Sequence, residues 1–224
     1  WRCAFPSLVS NSYGMGRVRV IGSGNVVGGL AGSNAGTISN SYATGNVSMS
    51  VSGGGGVGGL VGVNSGGMII NSYAKGNVSG SGNELGGLAG RNYGGTISNS
   101  YATGSVSGSG VYIGGLVGVN FNSFSTSTVT NSYWDTTVNG ALPGFGLGTG
   151  GATGLTTAQM KKMSSFSGWD IANTGGSTSV WRIYEGNTNP LLRNFMTSMT
   201  LTDVVTTYNG TAQSGATTAV TGVL

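Results

Sequence analysis

The chain has 224 residues, 46 of them Gly, with 6 % charged residues, three Pro, one Cys and no His. Without His there is no Ser-His-Asp or Cys-His catalysis and no histidine zinc ligand, and a lone Cys3 closes no internal disulfide. The net charge of +4 arises in residues 1–134, where Arg2, Arg17, Arg19, Lys75 and Arg91 face Glu84 alone; these cations do not cluster, and no nucleic-acid partner is expected.

In chain order, the tripeptide Asn-Ser-Tyr returns at Asn11, Asn40, Asn71, Asn99 and Asn131, at intervals of 29, 31, 28 and 32 residues. A second block, Gly-Gly-Leu-(Ala/Val)-Gly-x-Asn, starts at Gly28, Gly58, Gly86 and Gly114. A period near thirty residues marks a repeat architecture. Within the blocks the spacing is fixed: seven residues from Asn to Val18, Val47, Val78, Val106 and Val138, and six from Gly to Asn34, Asn64, Asn92 and Asn120. The joints between blocks vary, from 8 to 11 residues after the Val and from 4 to 9 after the second Asn. Rigid blocks with elastic joints suit stacked strands linked by surface loops, because loops absorb insertions and packed elements do not.

Each unit reads as two or three short strands, rich in Val, Ile, Tyr and Thr and bounded by Gly and Asn. No helical apolar stripe occurs in 1–134. So little chain buries no core alone, so copies must stack, each strand pairing with its equivalent about 4.8 Å away. The expected fold class is all-β, a parallel β-solenoid with a C-terminal cap containing one short helix. Its columns are Val9/Ile38/Ile69/Ile97/Val129, Tyr13/Tyr42/Tyr73/Tyr101/Tyr133 and Leu30/Leu60/Leu88/Leu116; which way the Leu and Tyr columns face is left open. Two Asn columns, Asn11/Asn40/Asn71/Asn99/Asn131 and Asn34/Asn64/Asn92/Asn120, are expected to form a structural ladder. Stacked amides can hydrogen-bond along the axis, and Asn tolerates the left-handed backbone of a sharp corner. On that basis Asn71→Asp should destabilise the chain by a few kcal/mol.

The pattern changes after Ser132. Residues 135–197 are expected to cover the open end of the solenoid, which would otherwise expose unpaired backbone. Thr156-Thr157-Ala158-Gln159 has capping-box form and predicts a helix over 157–164. Trp134, Trp169 and Trp181 concentrate in and around this region and read as cap packing or as a sugar platform. Residues 198–224 read as one or two strands with a turn at Asn209-Gly210.

Val-Gly-Gly-Leu-Ala-Gly-Ser-Asn at 27–34 and Thr-Ile-Ser-Asn-Ser-Tyr-Ala-Thr-Gly-Asn-Val at 37–47, with their copies over about 8–134, resemble the GLUG repeat of large bacterial surface proteins similar to filamentous-haemagglutinin-type adhesins. Related repeats also stand beside bacterial immunoglobulin A peptidases. The resemblance implies a secreted β-solenoid and carries over no catalytic residue. The series Leu-Thr-Thr-Ala-Gln-Met, Gly-Trp-Asp, Trp-Arg-Ile-Tyr-Glu-Gly and Asn-Pro-Leu-Leu resembles the segment that follows such repeats, and 198–224 resembles the opening of an MBG repeat.

The chemistry expected is correspondingly slight. The acids Glu84, Asp135, Asp170, Glu185 and Asp203 lie far apart, whereas a glycosidase needs two carboxylates on one face. Asp170 and Glu185 are expected to pair with Arg182 or Lys161. Gly146–Gly151 fits a G-x-G-x-x-G string, but no β-α-β unit surrounds it. No periodic Asp suggests calcium, so no cofactor and no metal are expected. The reading is therefore a non-catalytic structural and adhesive segment, extracellular at the bacterial surface. Its expected partners are a surface receptor or glycan, met by Tyr93, Tyr112 or the cap aromatics, and other rods by lateral self-association. No apolar run reaches the roughly 18 residues of a membrane span, so no membrane insertion is expected. The chain begins on Trp1 and ends on Leu224 in mid-pattern, as an internal piece of a longer protein would.

Overall fold

The computed structural model describes residues 2–3, 7–21, 26–50, 55–121 and 126–197. The repeats form a parallel β-solenoid of about five turns. The first four coils each contribute short strands to five stacked sheets and the fifth to three of them, and within a sheet each strand pairs with its equivalent one coil away. The third coil shows the pattern: Val61–Ser65, Met68–Ile70, Tyr73–Ala74, Val78–Gly80 and Glu84–Gly86.

Register follows the sequence columns. Ile69 pairs with Ile38 and Ile97, Tyr73 with Tyr42 and Tyr101, Val78 with Val47 and Val106, and Asn64 with Asn34 and Asn92. Slipping a coil by one residue would turn each inward side chain outward, so the Ile and Val columns fix the register. The interior has two compartments. One holds the Ile column, Leu60, Leu88 and Leu116, and Ala43, Ala74 and Ala102; the other holds the Val column with Met49, Val57 and Leu85. The Leu column thus faces inward, and its three last members are fully buried. Its Gly-Gly turn follows from the same crowding: a Cβ on Gly59 would collide with the Gly87 carbonyl oxygen and lie 2.8 Å from the Ala74 Cβ.

The coil pattern stops after Tyr133 for a local reason. Tyr-(Ala/Gly)-x-Gly in the earlier copies becomes Tyr133-Trp134-Asp135-Thr136. In the stacked form this Gly has no room for a side chain, since a Cβ on Gly104 would meet the Gly76 carbonyl oxygen. Thr136 cannot stack there. Asp135 instead caps a one-turn helix, Thr136–Asn139, accepting the N–H groups of Thr137 and Val138 at 2.9 and 3.2 Å. Val138, expected in the Val column, lies on this helix and is exposed. Trp134 occupies the Ala column in the last coil and packs against the core.

Helix residue Asn139 takes over the pairing duty of a further coil. Val18, Val47 and Val78 donate their N–H to backbone carbonyls of Asn46, Asn77 and Ser105, whereas Val106 donates to Asn139 Oδ1 at 2.8 Å. The Asn139 amide also donates to the Gly104 carbonyl at 3.1 Å. One side chain thereby satisfies a donor and an acceptor at the start of an edge that would template further strands.

Residues 135–197 do not form a single lid over the end. Phe145–Gly148 and Ala152–Leu155 extend two of the five sheets by one more strand each. The following residues then run back along the side of the solenoid and lie over the Tyr column. The capping box forms: Thr156 N–H donates to Gln159 Oε1 at 2.8 Å and Gln159 N–H to Thr156 Oγ1 at 3.2 Å. It opens two 3-10 turns, Gln159–Lys161 and Met163–Ser165, and no α-helix over 157–164; the α-helix of this region is Thr136–Asn139. A small sheet of Ile171–Ala172, Trp181–Arg182 and Leu191–Leu192 completes the flank. The strands and turn expected in 198–224 lie outside the described residues.

Candidate functional site

The two Asn columns do different work. Asn34, Asn64, Asn92 and Asn120 are buried, and their amides bond in file: Asn34 Nδ2 donates to Asn64 Oδ1 at 2.8 Å, Asn64 to Asn92 at 2.8 Å, and Asn92 to Asn120 at 2.9 Å. Each Nδ2 of Asn64 and Asn92 also reaches the carbonyl three residues on, Gly67 at 2.9 Å and Gly95 at 3.0 Å, which pins the turn to the next strand. The file ends where Asn120 Nδ2 donates to the Thr149 carbonyl.

Asn11, Asn40, Asn71, Asn99 and Asn131 instead hold left-handed backbone, with φ between 44° and 50°, and turn the chain between the Ile and Tyr sheets. Their side chains form no amide file. Asn71, Asn99 and Asn131 make no side-chain hydrogen bond among the described residues, and Asn11 Oδ1 accepts from Asn194 Nδ2 at 2.7 Å. The few kcal/mol expected for Asn71→Asp therefore belong to Asn64 or Asn92.

The Ser of Asn-Ser-Tyr is the ladder that sequence reasoning missed. The N–H groups of Ser12, Ser41, Ser72 and Ser100 donate to the hydroxyls of Ser41, Ser72, Ser100 and Ser132, at 3.1 to 3.3 Å. Each hydroxyl donates in turn to the carbonyl two residues before it. The corner leaves a backbone N–H without a strand partner, and a buried hydroxyl supplies the acceptor. The signal was present: a Ser in all five copies, where a solvent-facing turn would tolerate Asn, Gly or Thr.

The Tyr column faces outward and is covered by the flank. Rings of Tyr13, Tyr42, Tyr73 and Tyr101 stack at centroid distances of 5.4, 4.9 and 5.0 Å. Trp181 lies against Tyr73 and Tyr101, Trp169 against Tyr101 and Tyr133, and Phe195 edge-on to Tyr13 and Tyr42. The Tyr101 hydroxyl donates to the Pro190 carbonyl at 2.7 Å and the Trp169 indole N–H to the Asn131 carbonyl at 2.9 Å. Burial, with a smaller push from the neighbouring Tyr, holds the Tyr73 and Tyr101 phenols well above their ordinary range. Trp169 and Trp181 are buried in this contact and offer no open platform to a sugar.

The four described acids are spent on structure. Glu84 pairs with Arg91, Asp135 caps the helix, Asp170 accepts the Val180 N–H at 3.0 Å and Glu185 the Met163 N–H at 3.0 Å. The ion pairs expected with Arg182 or Lys161 are not formed; Arg182 lies over the Tyr184 ring, 4.8 Å from its centroid. Among the described residues no three of Cys, Asp and Glu gather as metal ligands, and no helix is long and apolar enough to cross a membrane. The exposed Tyr93 and the half-buried Tyr112 lie on separate strands of the solenoid wall.

Comparison with known proteins gives one match of family type. The GLUG motif fits residues 23–48, 53–79 and 81–107. No curated protein and no solved structure matches the chain. The coils outside the matched range, at Leu8–Ser10 and Thr128–Thr130, pair in the same register as those within it. Residues 23–107 are thus GLUG-motif repeats, each repeat one turn of a parallel β-solenoid.

Proposed function

We propose that this chain is a non-catalytic, rigid segment of a large secreted bacterial surface protein, a rod that carries or forms an adhesive surface. The observation that bears the reading is the continuity of its ladders. Backbone pairs, Asn amides, Ser hydroxyls and Tyr rings each run from coil to coil, so a pull on one turn is shared by several parallel rows of bonds. The described carboxylates hold turns, caps and a salt bridge, which leaves the chain little with which to do acid–base chemistry. The resemblance to adhesin repeats supports reading such a rod as lying outside the cell, with residues 198–224 read as the start of a further, MBG-like repeat. Lateral association of rods is compatible with the low charge of the walls.

The test uses the parent protein in the organism that makes it. Antibodies to the solenoid should label intact cells, and deletion of residues 1–197 should lower attachment to surfaces or neighbouring cells. Labelling only after lysis, or attachment unchanged by the deletion, would overturn the reading.

A further inference from the structure

The segment Trp181-Arg182-Ile183-Tyr184, which opens with the strand Trp181–Arg182, alternates. Trp181 and Ile183 are fully buried, Trp181 against the Tyr column, while Arg182 and Tyr184 stand on the other face. On that outer face the Arg182 guanidinium lies over the Tyr184 ring. It makes no hydrogen bond with any described residue, and its Nη1 is cut off from water without a partner. The contrast with the neighbouring arginine is plain. Arg193 uses its Nε and Nη2 on the carbonyls of Ser179 and Thr178, at 2.8 and 3.1 Å, and so fixes the loop before the strand.

A groove of about 530 Å³ opens at this place, lined by Arg182, Tyr184 and Arg193 and by the hydroxyl-bearing Thr174, Ser177 and Thr178. Asp and Glu are absent from its described lining. Its volume falls within the roughly 300–1,000 Å³ of small-molecule sites. The groove therefore offers two guanidinium groups, that of Arg193 tied to backbone carbonyls and that of Arg182 without a hydrogen-bond partner among the described residues, beside hydroxyl groups and glycine backbone. A guanidinium fork can bind a carboxylate through two parallel bonds. Guanidinium charge, several hydroxyls and no lining carboxylate match an anionic ligand that carries many hydroxyls of its own.

We infer that this groove on the flank binds an acidic sugar, with the carboxylate on Arg182 and the ring hydroxyls on the loop 174–178. Two sources share that chemistry, a sialylated animal glycan and a uronic-acid polysaccharide. The inference does not depend on surface display, because the groove belongs to the flank and not to the ladders.

The 224-residue chain is titrated by NMR or calorimetry with sialyllactose, trigalacturonate, lactose and inorganic phosphate. The expected result is saturable binding of one or both acidic sugars, with lactose and phosphate weaker by about tenfold or more, the scale of a charge-assisted pair. Whichever acidic sugar binds more tightly identifies the source. Arg182→Ala should weaken that binding by about tenfold or more and Arg182→Lys by less, since a lysine keeps the charge but not the fork. Tyr184→Ala is a second variant that loosens the guanidinium, and it should also weaken binding. Arg17→Ala, on the exposed rim of the first coils, should leave binding unchanged. The inference fails if neither acidic sugar binds, if lactose or phosphate binds as tightly, if the folded Arg182→Ala and Tyr184→Ala chains bind as before, or if Arg17→Ala costs as much as Arg182→Ala.

Discussion

The inside of the coils and the Tyr flank are both apolar, yet they are held together by different means. Inside, each residue meets its own kind one coil away, so Ile38, Ile69 and Ile97 make nearly the same contacts three times over. On the flank, the Tyr column repeats but what covers it does not: Trp169, Trp181 and Phe195 come from one irregular segment. The difference teaches that repetition yields a core only where strands turn inward. An outward column of large rings needs a partner from elsewhere in the chain. It also sorts the weak points, since damage inside a repeat is local, while damage to the cover strips several Tyr rings at once.

The largest effect should come from the cover. Trp181→Ala removes a fully buried indole in contact with Tyr73, Tyr101 and Trp169, and should cost about 3–5 kcal/mol, read by thermal melting and by loss of near-UV signal. Proteolysis of this variant should cut within 156–197 before it cuts the coils. Cleavage of coils and flank together would deny that the two regions are separate.

Next comes the amide file. Asn64→Asp places a charge between two amides and deprives Gly67 of its donor, for a cost of about 3 kcal/mol in denaturant unfolding, while Asn71→Asp at its corner should cost under about 1 kcal/mol. Equal costs at the two positions would erase the distinction between file and corner. Smaller again is Asn139→Ala, which leaves the Val106 N–H without an acceptor and should cost about 1–3 kcal/mol.

The pH dependence distinguishes the regions without mutation and is nil at neutral pH. Burial raises the folded-state phenols of Tyr42, Tyr73, Tyr101 and Tyr133 above the unfolded value of about 10. The stability they lend is present in full below that value and falls as pH climbs through the raised ones. Lys75, lowered by burial, works in the opposite sense, but as one group against four. Denaturant midpoints should therefore drop above pH 10, and Tyr73→Phe should flatten the drop.

Much of this was legible in the sequence because periodicity reports stacking directly. The columns of Ile, Val, Tyr and Leu lie in the expected register, and the unvarying seven- and six-residue blocks mark the parts that cannot bend. What periodicity cannot report is direction. Val27, Leu30 and Ala31 defied simple alternation because Leu30 sits in a turn between strands. The two Asn columns looked alike, yet one has side chains in the interior and the other has its backbone in a left-handed corner. Likewise Val138 kept its spacing but lost its strand, since the decisive change was Gly to Thr two residues earlier. The groove at Arg182 was invisible because the ion pairs assumed for Asp170 and Glu185 are replaced by backbone N–H donors.

In-register stacking itself can be tested by cross-linking. Met68 pairs with Thr37 on one side and Thr96 on the other. With Cys3 replaced by Ser, Met68→Cys with Thr96→Cys places two thiols on adjacent strands about 4.8 Å apart, within disulfide reach, whereas Thr37→Cys with Thr96→Cys places them roughly 10 Å apart, beyond it. Mild oxidation should close the first pair within the monomer and leave the second as free thiols. A disulfide in the second pair, or none in the first, would contradict the stacked solenoid.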